Sequence, residues 1–337
     1  MTPRVLLVTG SAPPDPCGVG DYTALLASAL QKAGLGVEVF CQRDWTLNGS
    51  IRALKKLVLA KDSLVHMQYP TVGYKYSLGP QLSMVAKQGI VTVHEFSLAH
   101  PLRKLSLLPF TLRARRVVVT SEFERDAIVR RMPWAQDKLR IIPIGSNIGQ
   151  TYSTYQERED MVVHFGLIMP RKGLEDFIEF ARLLRARNCN WKLLIIGKVA
   201  PRQETYAKSL MTSAAPYGVQ WILDTDAEDA FKLLAKAGLG YFPFPDGASD
   251  RRGSLKAALA AGLPCITTFS DQTSTELAQI VALRATPQDA VEEAARLMVA
   301  KDERLVMSEG NRRYSLRFSW ERIAALHIQM YRELLGT

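Results

Sequence analysis

The stretch FPFPDGASDRRGSLKAALAAGLP, residues 242–264, carries the strongest structural signal in the sequence. Its apolar start is typical of a buried strand, a polar loop follows, and the alanine-rich half predicts a helix that begins at Gly253 and Ser254. The first turn of a helix has unpaired N–H groups that favour an anion. Arg251 and Arg252 add positive charge beside that turn. The segment therefore predicts a site that holds a diphosphate without a metal ion.

The same alternation of strand and helix extends along the rest of the chain. Short apolar runs, such as residues 5–8, 64–67 and 90–93, predict strands, and segments with apolar residues at helical spacing separate them. This order is typical of α/β proteins whose parallel sheets are covered by helices on both faces.

A polar segment over residues 149–160 interrupts the alternation and is typical of a linker, because it contains no aliphatic residue. The pattern then starts again. It predicts two doubly wound domains over residues 1–155 and 156–318, and a last helix within residues 319–337 that packs back on the first domain. Ligands of such sheets bind beyond the carboxyl ends of the strands, so we expect a site in the cleft between the domains.

Composition and charge limit the choice of partners. The 337 residues are 47% hydrophobic and 23% charged, which excludes wholesale disorder. A net charge of +10 favours an anionic partner, such as a phosphorylated ligand, nucleic acid or an anionic membrane surface. Aromatic residues do not interleave with a basic stripe, which argues against nucleic acid. No apolar run approaches the roughly 18 residues of a membrane span, so any membrane contact is expected to be peripheral.

The four cysteines are scattered and include no Cys-x-x-Cys pair. A disulfide framework or a zinc site is therefore not expected. Free thiols are typical of a reducing compartment, so we expect a cytoplasmic location, with the inner face of the membrane included.

The Gly- and Pro-rich loop of residues 10–21 is a candidate anion site in the first domain. It precedes a helix predicted to begin near Asp21, and the glycines of Gly18-Val19-Gly20 let backbone N–H groups approach a bound anion. Two alternatives remain. One is a dinucleotide-binding loop, although Thr23 stands where that fingerprint has its third glycine. The other is a loop with a purely structural role.

Two histidines are candidate site residues of the first domain. His94 follows a predicted strand, where its side chain is expected to face the cleft, and Glu95 beside it could orient the ring or act as a base. His66 is expected at the end of the preceding strand. A structural role is the alternative for both, and it is the favoured interpretation for His66.

The second domain opens with VHFGLIMPRKGL, residues 163–174. A predicted strand reaches Gly166, and Arg171 and Lys172 precede a predicted helix. Cations beside a helix N-terminus favour an anionic ligand, and solvated loop cations are the alternative.

Taken in order, these motifs resemble the retaining glycosyltransferases of family four, which have the GT-B fold. The resemblance also includes residues 142–145 (IPIG) and residues 318–321 (FSWE), and it spans nearly the whole chain. It implies that the second domain binds a sugar nucleotide and the first domain binds the acceptor. Lys172 matches one of the two cations that contact the diphosphate in this family.

The chain departs from the family pattern at three positions. Leu167 stands where an arginine usually follows the glycine, and Arg171 is expected to compensate. Ala248 and Lys256 stand where two glutamates usually lie eight positions apart. The resemblance implies catalytic roles for His94, Lys172 and Arg171. It implies donor contacts by Gly18, Val19, Gly20, Gly166, Gly197, Gly247, Ser249, Arg251, Arg252, Gly253, Ser254 and Leu255.

The activity implied is retaining transfer of a hexosyl group from a nucleotide-sugar, with UDP-glucose as the default donor, in polysaccharide biosynthesis. No cofactor and no metal are expected, and the acceptor is expected to be a glycan or a lipid-linked glycan. Two alternatives are a GT-B sugar-nucleotide epimerase and a non-catalytic sugar-nucleotide binder. Basic amphipathic stretches at residues 51–61 and 102–116 would suit an anionic membrane, or would pack on the sheet with their cations in solvent.

Overall fold

The computed structural model describes residues 4–15, 17–97, 99–146 and 158–336. They divide into two compact units, of which unit 1 is Met1–Gly145 with Phe318–Thr337 and unit 2 is Ser146–Arg317. Most of the predicted linker and the boundary near residue 155 lie outside the described residues. Within them, no helix has the length and apolarity needed to cross a membrane.

The expected alternation of strand and helix is confirmed in both units. The strands are β1 Arg4–Thr9, β2 Gly36–Cys41, β3 Ser63–Tyr69, β4 Ile90–Val93, β5 Arg116–Val119, β6 Leu139–Ile141, β7 Glu159–Ile168, β8 Lys192–Val199, β9 Val219–Leu223, β10 Ala237–Phe242, β11 Cys265–Thr267 and β12 Ala282–Leu283. The helices are α1 Gly18–Lys32, α2 Leu47–Leu59, α3 Gly79–Lys87, α4 Pro101–Leu105, α5 Leu108–Arg113, α6 Glu122–Val129, α7 Leu174–Ala186, α8 Glu204–Ala214, α9 Ala227–Lys236, α10 Gly253–Ala260, α11 Thr275–Ala278, α12 Pro287–Val299, α13 Lys301–Ser315 and α14 Trp320–Leu335. Short 3₁₀ turns lie at Val72–Tyr74, Pro133–Lys138, Ala215–Tyr217 and Leu316–Phe318.

Unit 1 is built on a parallel sheet in the order β2-β1-β3-β4-β5-β6. Successive residues of a strand point to opposite sides of the sheet. Because consecutive residues of these strands are apolar, both faces of the sheet are apolar. Leu6 contributes to the core on one face and Leu7 to the core on the other. Helices α1 and α14 pack on each other and cover the second face, where Ile323 and Tyr331 are buried.

Unit 2 has a parallel sheet in the order β12-β11-β10-β7-β8-β9. Its core is dominated by aromatic and aliphatic side chains such as Phe177, Phe180, Leu193 and Tyr241, all buried. Strands β8 and β9 follow β7 towards one edge of the sheet, and β11 and β12 follow β10 towards the other edge. The strand order therefore reverses between the neighbouring strands β7 and β10.

Two predicted helices have different bounds in the structure. The predicted helix over residues 102–112 is broken into α4 and α5, because Pro109 has no N–H to bond the carbonyl of Leu105. The helix predicted near Asp21 begins earlier, at Gly18.

Candidate functional site

The strand order of unit 2 decides where its ligand site lies. Ligands of doubly wound sheets bind beyond the carboxyl ends of the two strands where the order reverses, here β7 and β10. The loops that follow them, residues 169–173 and 243–252, lie against each other. A Cβ atom added to Gly173 would lie 2.0 Å from the carbonyl oxygen of Pro243. The two basic motifs of the sequence therefore meet at one edge of the sheet.

Asp246 forms ion pairs with an arginine from each of these loops. Arg171 Nη2 lies 2.9 Å from Asp246 Oδ1, and Arg252 Nη2 lies 3.4 Å from Asp246 Oδ2. The hydrogen bond from Arg171 and the charges of both arginines hold the pKa of Asp246 below its usual range. The two arginines differ in setting, since the side chain of Arg171 is 77% exposed and that of Arg252 is 19% exposed.

Lys172 is the cation of this site without a counter-ion. It is half-buried and has no hydrogen bond or ion pair with another described residue. Burial, followed by the nearby charge of Arg252, lowers the pKa of Lys172. Two neighbouring cations that share a single carboxylate leave an excess of positive charge, which is the electrostatic setting of an anion site.

The first turn of α10 supplies hydrogen-bond donors next to these cations. The first helical bond runs from Lys256 N to Arg252 O, so the N–H groups of Gly253, Ser254 and Leu255 have no carbonyl within the helix. Arg252 at the N-cap provides no side-chain cap. Gly166 of β7 is adjacent, because a Cβ atom added there would lie 3.5 Å from Ser254 Cβ.

Packing alone explains two of the glycines predicted to contact the donor. A Cβ atom on Gly197 would lie 1.8 Å from the carbonyl oxygen of Gly166, and one on Gly247 would lie 2.6 Å from Ser270 N. Gly247 also has a φ of +75°, which favours glycine. Ser249 is buried, and its carbonyl accepts a hydrogen bond from Arg252 N. Arg251 is half-buried in the same loop.

In unit 1, Gly18, Val19 and Gly20 form the first turn of α1 rather than a loop. The first helical bond runs from Asp21 N to Cys17 O at 3.0 Å, so this turn also has N–H groups without a helical carbonyl. A Cβ atom on Gly18 would meet open space, whereas one on Gly20 would lie 2.8 Å from Ser11 O. Gly18 is therefore available to a ligand, and Gly20 serves the packing of the helix.

His94 is held as a neutral imidazole at the carboxyl end of β4. Its Nε2 lies 3.0 Å from Gln68 Oε1, and its ring packs edge-on against Tyr22 at 4.7 Å between centroids. Burial, with a smaller effect of His327, lowers the pKa of His94 to about 3. Gln68, which the sequence did not single out, orients the ring.

For His66 the structure supports the structural role, and the expected position at the end of the strand is wrong. It lies in the middle of β3, is fully buried, and bonds Tyr331 Oη and Thr92 Oγ1, each at 2.7 Å. The strand continues past the histidine to Tyr69. His66 is thus a core residue that ties β3 to β4 and α14.

Among the described residues, no group of three or more His, Cys, Asp or Glu side chains is placed to hold a metal ion. All four cysteines are free thiols.

Residues 159–300 match the family described as Glycosyl transferases group 1. Unit 2 carries a group 1 glycosyl transferase domain. The resemblance found in the sequence is thereby confirmed. A comparison with curated proteins finds no match.

Solved glycosyltransferases share the fold of the whole chain. A Rickettsia africae glycosyltransferase superposes with a TM-score of 0.76 at 13% identity, and covers 99% of each chain. Anabaena HepE in complex with UDP gives 0.71 at 13% identity over 100% of each chain. WaaG, a glycosyltransferase involved in lipopolysaccharide biosynthesis, gives 0.63 at 16% identity over 97% of this chain and 99% of WaaG. At these identities the likeness shows the fold alone, and the fold is GT-B.

The departures of this group 1 domain from the family pattern have clear structural settings. Leu167 is 48% exposed on β7, while Arg252 holds a shielded cation near Lys172. Ala248 is fully buried. Lys256 is buried in α10, and burial lowers its pKa to about 8 although Asp250 opposes the shift.

Asp250 is a further acid that the sequence did not single out. It accepts a hydrogen bond from Tyr314 Oη at 2.6 Å, and burial raises its pKa. In this group 1 domain, an acid at position 250 and a buried lysine at position 256 thus lie at the start of α10, whereas the family pattern has glutamates at positions 248 and 256.

Proposed function

We propose that the protein is a retaining, metal-independent glycosyltransferase that moves a sugar from a UDP-sugar to a glycan or lipid-linked acceptor in polysaccharide biosynthesis. One observation carries the proposal: Lys172, Arg252 and the open first turn of α10 converge where the strand order reverses in unit 2. HepE, which has the same fold, has been solved with UDP-glucose, and this supports a UDP-sugar donor.

The chemistry needs these groups because the bond broken joins the anomeric carbon to a phosphate oxygen. As it breaks, positive charge develops on the sugar and negative charge grows on the diphosphate. Donors already placed around the diphosphate stabilise that charge without reorganising. Lys172 and Arg252 supply charge, and the Ser254 hydroxyl and the N–H groups of Gly253, Ser254 and Leu255 supply directed hydrogen bonds.

Arg252 is the better partner for Lys172 than Arg171, the residue first expected to replace the missing arginine. The guanidinium of Arg252 lies 4.8 Å over the Phe244 ring, which fixes the side chain and shields it from water. Arg171 is mostly in solvent, where its charge is screened. We infer that Arg252 contacts the diphosphate and that Arg171 contributes mainly through Asp246.

We retain His94 and the Gly18–Gly20 turn as proposed contacts with the donor. With its pKa at about 3, His94 is neutral at pH 7, so it would exchange hydrogen bonds with sugar hydroxyls rather than provide a proton. The N–H groups of Gly18 and Val19 would meet a phosphate or a hydroxyl.

Transfer of radiolabelled sugar from UDP-glucose tests the proposal. Lys172→Ala and Ser254→Ala should each lower kcat/KM by at least about tenfold, equivalent to about 1.4 kcal/mol of transition-state stabilisation. Arg252→Ala should cost more than Arg171→Ala. Lys208→Ala, an exposed cation on α8, is the matched control and should be neutral. Losses below tenfold for both Lys172→Ala and Ser254→Ala would contradict the assignment, and loss of turnover with a chelator would contradict metal independence.

A non-catalytic sugar-nucleotide binder is the second candidate. Ala248 and Lys256 favour it, since neither side chain offers the carboxylate expected at its position. Such a protein would bind UDP-glucose without slow hydrolysis of the donor. Release of glucose from UDP-glucose over hours, abolished in Lys172→Ala, would exclude it.

Contact with an anionic membrane is part of the proposal. Helix α2 exposes Leu47, Ile51, Val58 and Leu59 on a helix that also carries Arg52, Lys55 and Lys56. Apolar residues flanked by cations suit an interface with anionic lipids. Sedimentation with vesicles of anionic phospholipid should be salt-sensitive, and binding that is absent at low salt would contradict this part.

A further inference from the structure

Unit 1 contains a cavity of about 790 Å³ beyond the carboxyl ends of β3 and β4, lined in part by Tyr69, Gln81 and Glu95. This volume is in the range of sites that hold small ligands, roughly 300–1,000 Å³. The cavity lies within unit 1, and none of the diphosphate-binding residues of unit 2 lines it.

The cavity has a polar floor with an unused acceptor. Gln81 Nε2 donates to Tyr69 Oη at 3.1 Å, and Tyr69 Oη lies 2.9 Å from Ser106 Oγ. Gln81 is 2% exposed, and its Oε1 has no partner among the described residues. A buried acceptor without a donor costs free energy, so a ligand hydroxyl that bonds it would be favoured.

The rim of the cavity carries charge that no described residue neutralises. Lys75 and Arg103 are exposed, and neither side chain forms an ion pair within the described chain. Glu95 faces the same cavity and is also unpaired there. Two cations favour an anionic group, and one carboxylate accepts hydrogen bonds from hydroxyls.

The walls offer an amphipathic surface. Tyr76 is 99% exposed, and Leu78 and Leu102 are 59% and 72% exposed. Clustered apolar side chains around a cavity mark a binding surface, and an aromatic ring suits a ligand with apolar and polar faces.

We propose that this cavity binds an anionic saccharide, a sugar that carries a phosphate or a carboxylate group, and that it holds the acceptor of the reaction; the second part rests on the proposed function. The hydroxyls bond Gln81 Oε1 and Glu95. The anionic group lies between Lys75 and Arg103. The sugar ring packs on the wall formed by Tyr76.

Calorimetry on the full chain without donor tests the binding directly, with glucose 1-phosphate, glucuronic acid and glucose as probes. At least one anionic probe should bind about tenfold more tightly than glucose, equivalent to about 1.4 kcal/mol. Which one does identifies a phosphate or a carboxylate as the natural group. The double variant Lys75→Ala/Arg103→Ala should remove this preference, and Gln81→Leu should weaken all three probes. Lys32→Ala, at an exposed cation on α1, is the control and should change nothing.

Two further measurements separate this proposal from the donor site. Lys172→Ala should leave the probes bound, whereas their loss in that variant alone would place them in unit 2 and overturn the proposal. Equal binding of charged and neutral probes to the unmodified protein would also overturn it. UDP should bind the double variant as tightly as the unmodified protein. If UDP does not bind the unmodified protein, the proposed function is contradicted, whereas binding of the anionic saccharide to the cavity is not.

Discussion

Arg252 and Asp246 form an ion pair, with 3.4 Å between Arg252 Nη2 and Asp246 Oδ2. Both residues lie in the loop between β10 and α10, and Arg252 directly precedes the helix. The carboxylate also binds Arg171, from the loop after β7. Asp246 therefore holds together two cations of different loops and partly neutralises the site. A diphosphate that enters here would compete with Asp246 for both arginines.

Replacing Asp246 should strengthen binding of the diphosphate. Asp246→Asn removes the competing charge and leaves Arg171, Lys172 and Arg252, so we expect UDP to bind about three- to tenfold more tightly at low salt, with a steeper salt dependence. Calorimetry at two ionic strengths measures both effects. Asp302→Asn, at an exposed acid of α13, controls for net charge. Weaker binding would mean that Asp246 is needed to position the cations.

Arg158 should be essential to the stability of unit 2. Its guanidinium donates to carbonyl oxygens near the C-terminal ends of α9 and α10, among them Ala235 at 2.9 Å and Gly262 at 2.7 Å. Arg158→Met leaves these carbonyls without a donor, and should lower the free energy of unfolding by about 2–4 kcal/mol. Urea unfolding measures the change. Arg313→Met, at an exposed arginine of α13, should be near neutral, and equal effects of the two would contradict the role of Arg158.

Unit 1 should lose stability in mild acid. Burial lowers the pKa of His327 to about 4 and that of His66 well below its usual value. The unfolded chain therefore takes up protons below pH 6.5 that the folded chain does not, and the free energy of unfolding falls as the pH drops from 6.5 towards 4. His327 alone should account for about 2 kcal/mol at pH 5. Urea unfolding at pH 7.5 and pH 5 should show a smaller loss for His327→Gln than for the unmodified protein; identical losses would contradict this origin.

Lys256 should produce an effect of the same sign in the alkaline range. Its pKa is about 8 in the folded protein, so the unfolded chain holds one more proton between pH 8 and 10.5. The free energy of unfolding contributed by this site should therefore rise with pH across that window. Lys256→Met should lack this rise, and its stability relative to the unmodified protein should decline from pH 8 to 10.5. Lys236→Met, at an exposed lysine of α9, should run parallel to the unmodified protein. A parallel curve for Lys256→Met would contradict the shifted pKa.

The strands and helices could be predicted because each buried strand appears in the sequence as a short apolar run with polar or helical segments on both sides. The residue types of Gly253 and Ser254 predict the start of α10, and the helix begins at Gly253 in the structure. The start of α1 could not be predicted in the same way. Glycines are poor helix formers, and Gly20 enters the helix because its missing side chain lets it pack on Ser11.

The contacts of the site depend on strand order, which local patterns do not contain. Arg171 and Asp246 are 75 residues apart in sequence, and meet because β7 and β10 are neighbours. The same holds for Gln68 and His94, which are joined across β3 and β4. The residue types of the site could therefore be named from the sequence, whereas the choice of Arg252 over Arg171 required the structure.

Calorimetric titration with UDP and with uridine tests the central claim most directly, because the two ligands differ only in the diphosphate. UDP should bind at least about 100-fold more tightly than uridine, equivalent to about 2.7 kcal/mol. Lys172→Ala should lower UDP affinity at least tenfold, and Lys208→Ala should not. Equal affinities for UDP and uridine, or UDP affinity unchanged in Lys172→Ala, would contradict a diphosphate site at the first turn of α10.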